Sequence, residues 1–338
     1  MTRTSRATLL VAAAAALGAA PLVAQQPTQP APQVTVGGLV YTQFTYQDAP
    51  IHFDNFDVKR AYINVIGRFS GGIYTRVTAD IYNPPAGTGD SSRTYRIKYA
   101  YFAYTPTGSP LTFKLGEIHT PLLDWEEALW DYRMQGQMAM ERGGYVSAAD
   151  FGAGVDGRWG PDKVNAQFTL VNGEDYKGGT GDIRKDVMAR VSARVMNTDD
   201  SSRVGGLRIT AYGSYGKRNA PAGVRERLLG MVSYRSKQLT LALEAAVTRD
   251  SITTLINGHV YSAFGVYRVP TSKAAIIGRV DIIDPNAGGV LNKTTRLIGG
   301  VSYQLSPNVR LLADLDRLSF ESGATARNQG LFQAQFTF

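Results

Sequence analysis

The sequence predicts an all-β fold, a transmembrane antiparallel up-and-down β-barrel of about 16 strands. Three observations predict it. From Val34 onward, apolar and polar residues alternate with period two, in segments long enough to cross a membrane as tilted strands. Short and long connections alternate between these segments. The last segment ends on an aromatic residue, Phe338.

The composition agrees with such a barrel. Charged residues make up 19% of the 338 residues, and the chain has 36 Gly, 18 Tyr and a mean hydropathy of -0.17. Soluble domains carry roughly 25% charged residues, whereas many Gly and Tyr suit tight turns and aromatic belts at membrane interfaces. The chain has no Cys, which excludes a disulfide framework, Cys-ligated zinc and thiol catalysis.

The start of the chain predicts secretion. Residues 1–24 read as a signal peptide, with Arg3 and Arg6 before an Ala-rich apolar run and small Ala24 at the expected cleavage point. Residues 25–33 form a Pro-rich flexible leader, and 34–338 form the barrel. We therefore expect the outer membrane of a Gram-negative-type envelope. The formal net charge of +8 suits an anion path or an acidic surface, and the signal peptide argues against nucleic acid as a partner.

The strand segments can be placed approximately. In 95–103 one face carries Tyr95, Ile97, Tyr99, Tyr101 and Ala103, and the other Arg96, Lys98, Ala100 and Phe102. The phase of 53–69 is unclear. The predicted segments are 34–47, 53–69, 72–83, 93–105, 110–119, 150–159, 162–173, 184–197, 204–217, 225–235, 237–249, 257–269, 274–284, 294–304, 308–319 and 328–338.

The short connections are expected on the periplasmic side and the long ones outside. The longest, 120–149, is then the third outer loop. Its mixture of Leu, Trp and acidic residues predicts a short amphipathic helix that rests on the inner wall and narrows the pore; an exposed lid is the alternative. The residues expected to form the constriction are Asp124, Trp125, Glu126, Glu127, Trp130, Asp131 and Arg133.

The chain end predicts how the barrel is assembled. Phe332, Ala334, Phe336 and Phe338 share one face of the last segment. We expect this face to contact outer-membrane lipid, with Phe336 and Phe338 forming the terminal signal for the barrel assembly machinery.

A barrel of this size encloses an aqueous channel. If the aliphatic faces meet lipid, the opposite faces place twelve basic and six acidic residues on the lumen side. This excess favours anions, although Arg76 with Asp80, or Arg279 with Asp281, are alternatively pairs that only brace the wall. The basic residues are Arg76, Arg96, Lys98, Lys114, Arg158, Lys163, Arg190, Arg194, Arg208, Arg279, Arg296 and Arg310.

The sequence does not predict an enzyme, a cofactor or a metal site. Its only histidines are His52, His119 and His259, which are widely separated. Only His119, near Asp124, suggests a hydrolase even faintly. A passive diffusion channel for small hydrophilic solutes is therefore the leading function, and a non-conducting structural or adhesion barrel is the alternative.

Several stretches resemble the phosphate-selective porin O and P family of outer-membrane porins. They are FDVKRAYINVIGRF at 56–69, the run 95–127 with LGEIHTPL, MERGG at 140–144, FGAGVDGRW at 151–159, LVNGED at 170–175 and MARVSARV at 188–195. The resemblance implies a sixteen-stranded, often trimeric, anion-preferring porin that binds phosphate through a basic ladder and a lysine in the constriction. The loop 120–149 has no lysine, which departs from that pattern.

Overall fold

The computed structural model describes residues 31–82, 92–176, 184–217, 223–251, 254–289 and 291–338. The predicted signal peptide at 1–24 lies outside the described residues, as do residues 25–30 of the predicted leader. In the described part, no helix is both long and apolar enough to cross a membrane.

Sixteen strands and two short helices make up the described structure, and each predicted segment corresponds to one strand. The strands are β1 Gln33–Ala49, β2 Phe53–Phe69, β3 Ile73–Tyr82, β4 Thr94–Tyr104, β5 Leu111–His119, β6 Ala149–Trp159, β7 Val164–Val171, β8 Asp186–Met196, β9 Gly206–Lys217, β10 Val224–Arg235, β11 Leu239–Ser251, β12 Leu255–Arg268, β13 Ala274–Asp284, β14 Thr294–Ser306, β15 Val309–Phe320 and β16 Arg327–Thr337. The helices are α1 Pro121–Leu129 and α2 Ala139–Arg142.

Each strand pairs antiparallel with the next, and β16 pairs with β1 to close the barrel. The prediction of a closed antiparallel barrel is therefore confirmed. At the closure the Gly38 N–H donates to the Phe338 carbonyl over 2.9 Å, and the Phe338 N–H donates back over 3.2 Å. A Cβ at position 38 would lie 2.0 Å from the Phe338 ring, so glycine at this position leaves room for that ring against β1.

The two faces of each strand differ as a membrane barrel requires. On β8, Val187 and Val191 are 37% and 50% exposed on the outside, whereas Arg190 between them is 1% exposed on the inside. Lipid accepts the aliphatic side chains, and the polar side chains find partners within the barrel.

Several β-bulges interrupt the pairing of the strands, and two of them change the phase of β4 and β2. Lys98 has no partner on β3, because Thr78 pairs with Tyr99 and Ala79 with Ile97. An extra residue moves every following side chain to the opposite face. The predicted phase of β4 is therefore wrong beyond Lys98: Tyr99 is buried inside at 5% exposure, and Phe102 points outward at 47%.

The second bulge lies on β2, where Tyr41 pairs with Arg60 and Thr42 with Val58, leaving Lys59 without a partner on β1. This bulge explains why the alternation of 53–69 has no clear phase in the sequence. It brings the two consecutive basic residues Lys59 and Arg60 to the same cavity inside the barrel.

Candidate functional site

The third outer loop, residues 120–149, lies inside the barrel. Helix α1 begins with Pro121 at its first turn, where a missing N–H costs nothing. It contacts β7 and β8. Trp125 and Trp130 have no exposed surface. Burial of these large apolar side chains against the wall supplies the driving force for the inward position.

Three arginines surround Trp125. The guanidinium carbon of Arg190 lies 4.1 Å from the centre of the indole ring, and those of Arg208 and Arg203 lie at 5.3 and 5.8 Å. Arg190 also donates to the carbonyl of Pro121 over 3.0 Å. These cation–π contacts and hydrogen bonds attach α1 to the wall.

Three of the predicted pore-lining arginines are consequently covered. Arg190 and Arg208 are 1% and 0% exposed, and Arg279, beneath Trp130 and Met138, is 4% exposed. All three point into the barrel as predicted, but the loop lies over them. They hold the loop and do not line open space, which corrects their predicted role.

Two acidic residues of the loop, Asp124 and Asp131, are held by arginines near the periplasmic end. Asp124 accepts a hydrogen bond from Arg203 over 2.6 Å. Burial alone raises the pKa of Asp124, but the Arg203 guanidinium outweighs burial and lowers it well below its ordinary value. The Asp131 carboxylate accepts from Arg268 over 2.9 Å, and its carbonyl accepts from Arg310 over 2.8 Å. Asp124 and Asp131 are therefore neutralised by this contact network.

The two other acidic residues of α1 behave differently. Glu126 is buried against Glu244 of β11, and burial together with that second carboxyl group raises the pKa of Glu126 well above its ordinary value. Glu127 pairs with Arg133 over 3.1 Å, and Arg133 pairs with Glu141 over 2.9 Å. This second chain of charges stays within the loop itself.

The remainder of the loop is fixed to the wall formed by β13 to β16. Tyr132 hydrogen-bonds to Ser302 over 2.7 Å, and the side chain of Gln333 donates to the Met134 carbonyl over 2.7 Å. Arg142 of α2 donates to Asp281 over 2.6 Å. The loop therefore crosses the lumen, and open space remains on the side of β1 to β5.

That open space is a cavity of about 680 Å³. It extends from Arg296 and Arg327, near the outer ends of β14 and β16, to Arg203 in the connection between β8 and β9. Among the residues that the structure describes, nine basic and two acidic side chains line it. The basic ones are Lys59, Arg60, Arg76, Lys98, Arg133, Arg142, Arg203, Arg296 and Arg327, and the acidic ones are Asp124 and Glu127.

The basic residues of this cavity fall into two groups. Arg133, Arg142, Arg203 and Arg296 each form an ion pair with a carboxylate. The other five have no carboxylate within 4.0 Å among the residues that the structure describes. These unpaired cations are Lys59, Arg60, Arg76, Lys98 and Arg327.

Aromatic and amide groups take the place of carboxylates on this wall. Arg76 lies 4.7 Å from the centre of the Tyr99 ring, which stacks on His119 at 3.9 Å. Arg76 also donates to the Asn64 side-chain oxygen over 2.9 Å. Neutral partners hold the guanidinium in place without cancelling its charge.

Sequence reasoning found part of this site. Of the predicted basic residues, Arg76, Lys98 and Arg296 line the cavity. Arg96 and Lys114 are ion-paired, to Asp80 over 3.0 Å and to Asp156 over 2.5 Å. Arg194 donates to the Pro161 carbonyl at the periplasmic end, and Arg310 donates to the Asp131 carbonyl. Of the residues predicted to form the constriction, three line the cavity: Asp124, Glu127 and Arg133. Three others are buried: Trp125, Glu126 and Trp130.

Five basic lining residues were missed by sequence reasoning. Lys59 and Arg60 lie at the β2 bulge, where a basic pair in a segment of uncertain phase was the available signal. Arg142 is in the loop, Arg203 in a periplasmic connection and Arg327 at the start of β16. No periodic pattern marks these last three.

A second cavity of about 400 Å³ lies on the opposite side of the loop and has the opposite charge. In the described part of the chain, its lining contains five acidic residues and one basic residue, Arg225, which pairs with Asp186 over 2.7 Å. The acidic residues are Glu141, Asp150, Glu174, Asp175 and Asp186. Of these two cavities, the larger is lined mainly by basic side chains and the smaller mainly by acidic side chains.

Solved structures of outer-membrane proteins share this fold. The structure of OmpT from Vibrio cholerae aligns with 91% of this chain over 98% of the OmpT chain, at 12% identity and a TM-score of 0.66. An anion-selective porin from Comamonas acidovorans aligns with 91% of this chain and 100% of its own, at 13% identity and a TM-score of 0.64. OmpF of Salmonella typhi aligns with 90% of this chain and 97% of its own, at 13% identity and a TM-score of 0.67. At these identities the likeness concerns the fold alone.

The sequence itself carries the family assignment. No curated protein sequence matches the chain. A family model described as Gram-negative porin, however, matches residues 7–323, almost the whole chain. Together with the closed sixteen-stranded barrel and its open basic cavity, this match leads to one conclusion: the chain belongs to the Gram-negative porin family and is a channel of the outer membrane.

Proposed function

We propose that this porin conducts small hydrophilic solutes with a preference for anions, phosphate among them. The observation that carries the proposal is the lining of the open cavity, with nine basic and two acidic side chains. Five of the nine lack a carboxylate partner in the described part of the chain, so their charge acts on the passing solute. A narrow passage lined by one sign of charge concentrates ions of the opposite sign.

The acidic cavity across the loop does not cancel this field. Charges in water are screened over roughly 8–10 Å at physiological ionic strength, and the loop with its ion pairs lies between the two cavities. An anion that passes along β1 to β4 is therefore governed by the residues it meets there. The acidic cavity, smaller at about 400 Å³, offers cations a separate space.

The ion selectivity of the purified protein in planar bilayers tests the proposal. In a tenfold KCl gradient, we expect stepwise conductance and a reversal potential displaced towards the chloride equilibrium value. Displacement towards the potassium value would refute the anion preference. Absence of any stepwise current from correctly folded protein would favour the alternative of a non-conducting structural or adhesion barrel.

Phosphate and trimerisation are further parts of the proposal. The resemblance of the sequence to phosphate-selective porins supports phosphate as a solute, and a structurally similar porin from Comamonas acidovorans is described as anion-selective. OmpT of Vibrio cholerae is described in a trimer form. We expect a homotrimer in outer-membrane lipid, assembled through recognition of Phe336 and Phe338. Chemical cross-linking in detergent measures the trimer, and bi-ionic potentials with phosphate measure its permeability.

A further inference from the structure

We propose that Arg60, Tyr62 and Lys98 form a binding site for a doubly charged oxyanion on the inner wall of the pore. This site rests on the proposed anion preference and adds to it a position at which one class of anion binds. The three residues come together because of the two bulges, at Lys59 on β2 and at Lys98 on β4.

Lys98 is the first element of the site. It is only 2% exposed, and it is one of the residues that line the open cavity. Lysine is almost never buried to this extent unless an opposite charge pairs with it. In the described part of the chain, its single hydrogen-bond partner is the Tyr62 hydroxyl at 2.7 Å, and no carboxylate lies within 4.0 Å. Two of its three N–H groups are thus left for another acceptor.

Arg60 is the second element, and it uses the same hydroxyl. Its guanidinium donates to Tyr62 and lies 5.4 Å from the centre of the Tyr62 ring. Two cations that share one neutral oxygen repel each other at short range. A bound dianion removes that repulsion by accepting hydrogen bonds from both, and it satisfies the ammonium in the same step.

Tyr62 is the element that gives the site its geometry. Its oxygen accepts from both cations, so its own O–H proton is directed away from them and is free to donate. The site therefore presents an ammonium, a guanidinium and a hydroxyl proton. This set of donors matches the several acceptor oxygens of sulfate or of doubly ionised phosphate, and it exceeds what a chloride ion can use.

The surrounding charges leave the site open to an anion. Asp80 on β3 is engaged by Arg96 at 3.0 Å. Across the cavity Glu127 is engaged by Arg133 at 3.1 Å. The rings of Tyr99 and Tyr176, whose centres lie 5.3 and 5.8 Å from the Lys98 nitrogen, exclude water from its other sides.

Block of the chloride current by sulfate tests the site. Single channels are recorded in KCl while potassium sulfate is added, and the half-blocking concentration is measured. We expect sulfate to interrupt the chloride current of the unmodified channel and nitrate, which is singly charged, to do so only at much higher concentration. Lys98→Gln should raise the half-blocking sulfate concentration about tenfold or more, the loss expected for a charge-assisted hydrogen bond.

Three further variants separate contact from general charge. Lys114→Gln is the control: it removes the same charge from the neighbouring strand β5, but Lys114 pairs with Asp156 over 2.5 Å and is not among the residues that line the cavity. It should change the half-blocking concentration by less than about twofold. Lys98→Arg retains the charge and should stay within about threefold of the unmodified channel, whereas Tyr62→Phe should weaken the block.

The outcomes distinguish the two proposals. Anion preference in KCl without sulfate block, or block that Lys98→Gln and Lys114→Gln weaken equally, would overturn the site while leaving the proposed function intact. A potassium-selective reversal potential of the unmodified channel would overturn the proposed function itself. The open-channel chloride current of each variant shows that it has folded.

Discussion

Replacement of Lys59 by Gln should weaken anion selectivity. Lys59 lies at the β2 bulge, lines the large basic cavity and the adjoining cavity of about 220 Å³, and has no carboxylate partner among the described residues. A unit charge acts on an ion about 5 Å away with roughly 1 kcal/mol at the dielectric constant of water. Screening by salt reduces this figure.

The size of the effect on selectivity follows from that energy. Loss of the ammonium removes its attraction for chloride and, to the same extent, its repulsion of potassium. A combined change of about 0.7–1.4 kcal/mol corresponds to a fall of roughly threefold to tenfold in the ratio of chloride to potassium permeability. The fall should be largest at low salt and nearly vanish at 1 M KCl, where the screening length is about 3 Å.

The assay is the reversal potential in a tenfold KCl gradient, repeated at three mean concentrations. Arg249→Gln is the matched control, because this substitution removes the same charge from outside the lumen. The Arg249 side chain lies at the outer rim of the barrel, is 51% exposed and pairs with Glu226. An unchanged reversal potential in Lys59→Gln, or an equal shift in both variants, would refute the assignment of anion selectivity to the β1–β4 wall.

Three other predictions concern the loop and the closure of the barrel. Trp125→Ala should weaken the attachment of α1 to the wall by about 3–5 kcal/mol, and it should raise both the single-channel conductance and the current noise. An unchanged current would contradict the role of Trp125 as an anchor. Burial and Glu244 raise the pKa of Glu126, so protonated Glu126 stabilises the fold at low pH, and this contribution is lost as pH rises from the ordinary value of about 4.3 through the raised pKa. Current noise should therefore grow with pH, and Glu126→Gln, which cannot ionise, should remove this dependence. Deletion of Phe338 removes two backbone hydrogen bonds to Gly38 and should reduce the yield of heat-modifiable barrel on gels, whereas Phe338→Ala keeps those bonds and should reduce it less.

The strands were predictable because lipid imposes a strict rule on them. Every backbone group must pair within the barrel, and each strand must present apolar side chains outward at every second position. Val187 and Val191 around Arg190 show the rule in a form that sequence reveals directly. The same rule fails at Lys59 and Lys98, since a bulge has no fixed sequence mark and one extra residue inverts the pattern.

The third outer loop was harder to place, because its burial depends on residues far away in sequence. Arg190 and Arg208 face inward, as their strands predict, but only the position of Trp125 decides that they are covered. Likewise, Arg203 lies in a periplasmic connection and reaches the cavity because Asp124 comes down to meet it. A period-two pattern contains no information about such contacts between a loop and a distant wall.

The choice of partners for the basic residues explains how a barrel with many wall ion pairs can still favour one sign of charge. Where an arginine only supports the loop, as Arg268 does with Asp131, a carboxylate cancels its charge. Along β2 to β4, neutral tyrosine side chains contact the cations instead. The Tyr62 hydroxyl accepts a hydrogen bond from Lys98, and the Tyr99 ring forms a cation–π contact with Arg76. A neutral partner fixes the position of a cation and leaves its field to act on the solute. We therefore expect the proposed anion preference to depend less on how many basic residues face inward than on which of them are held by neutral groups.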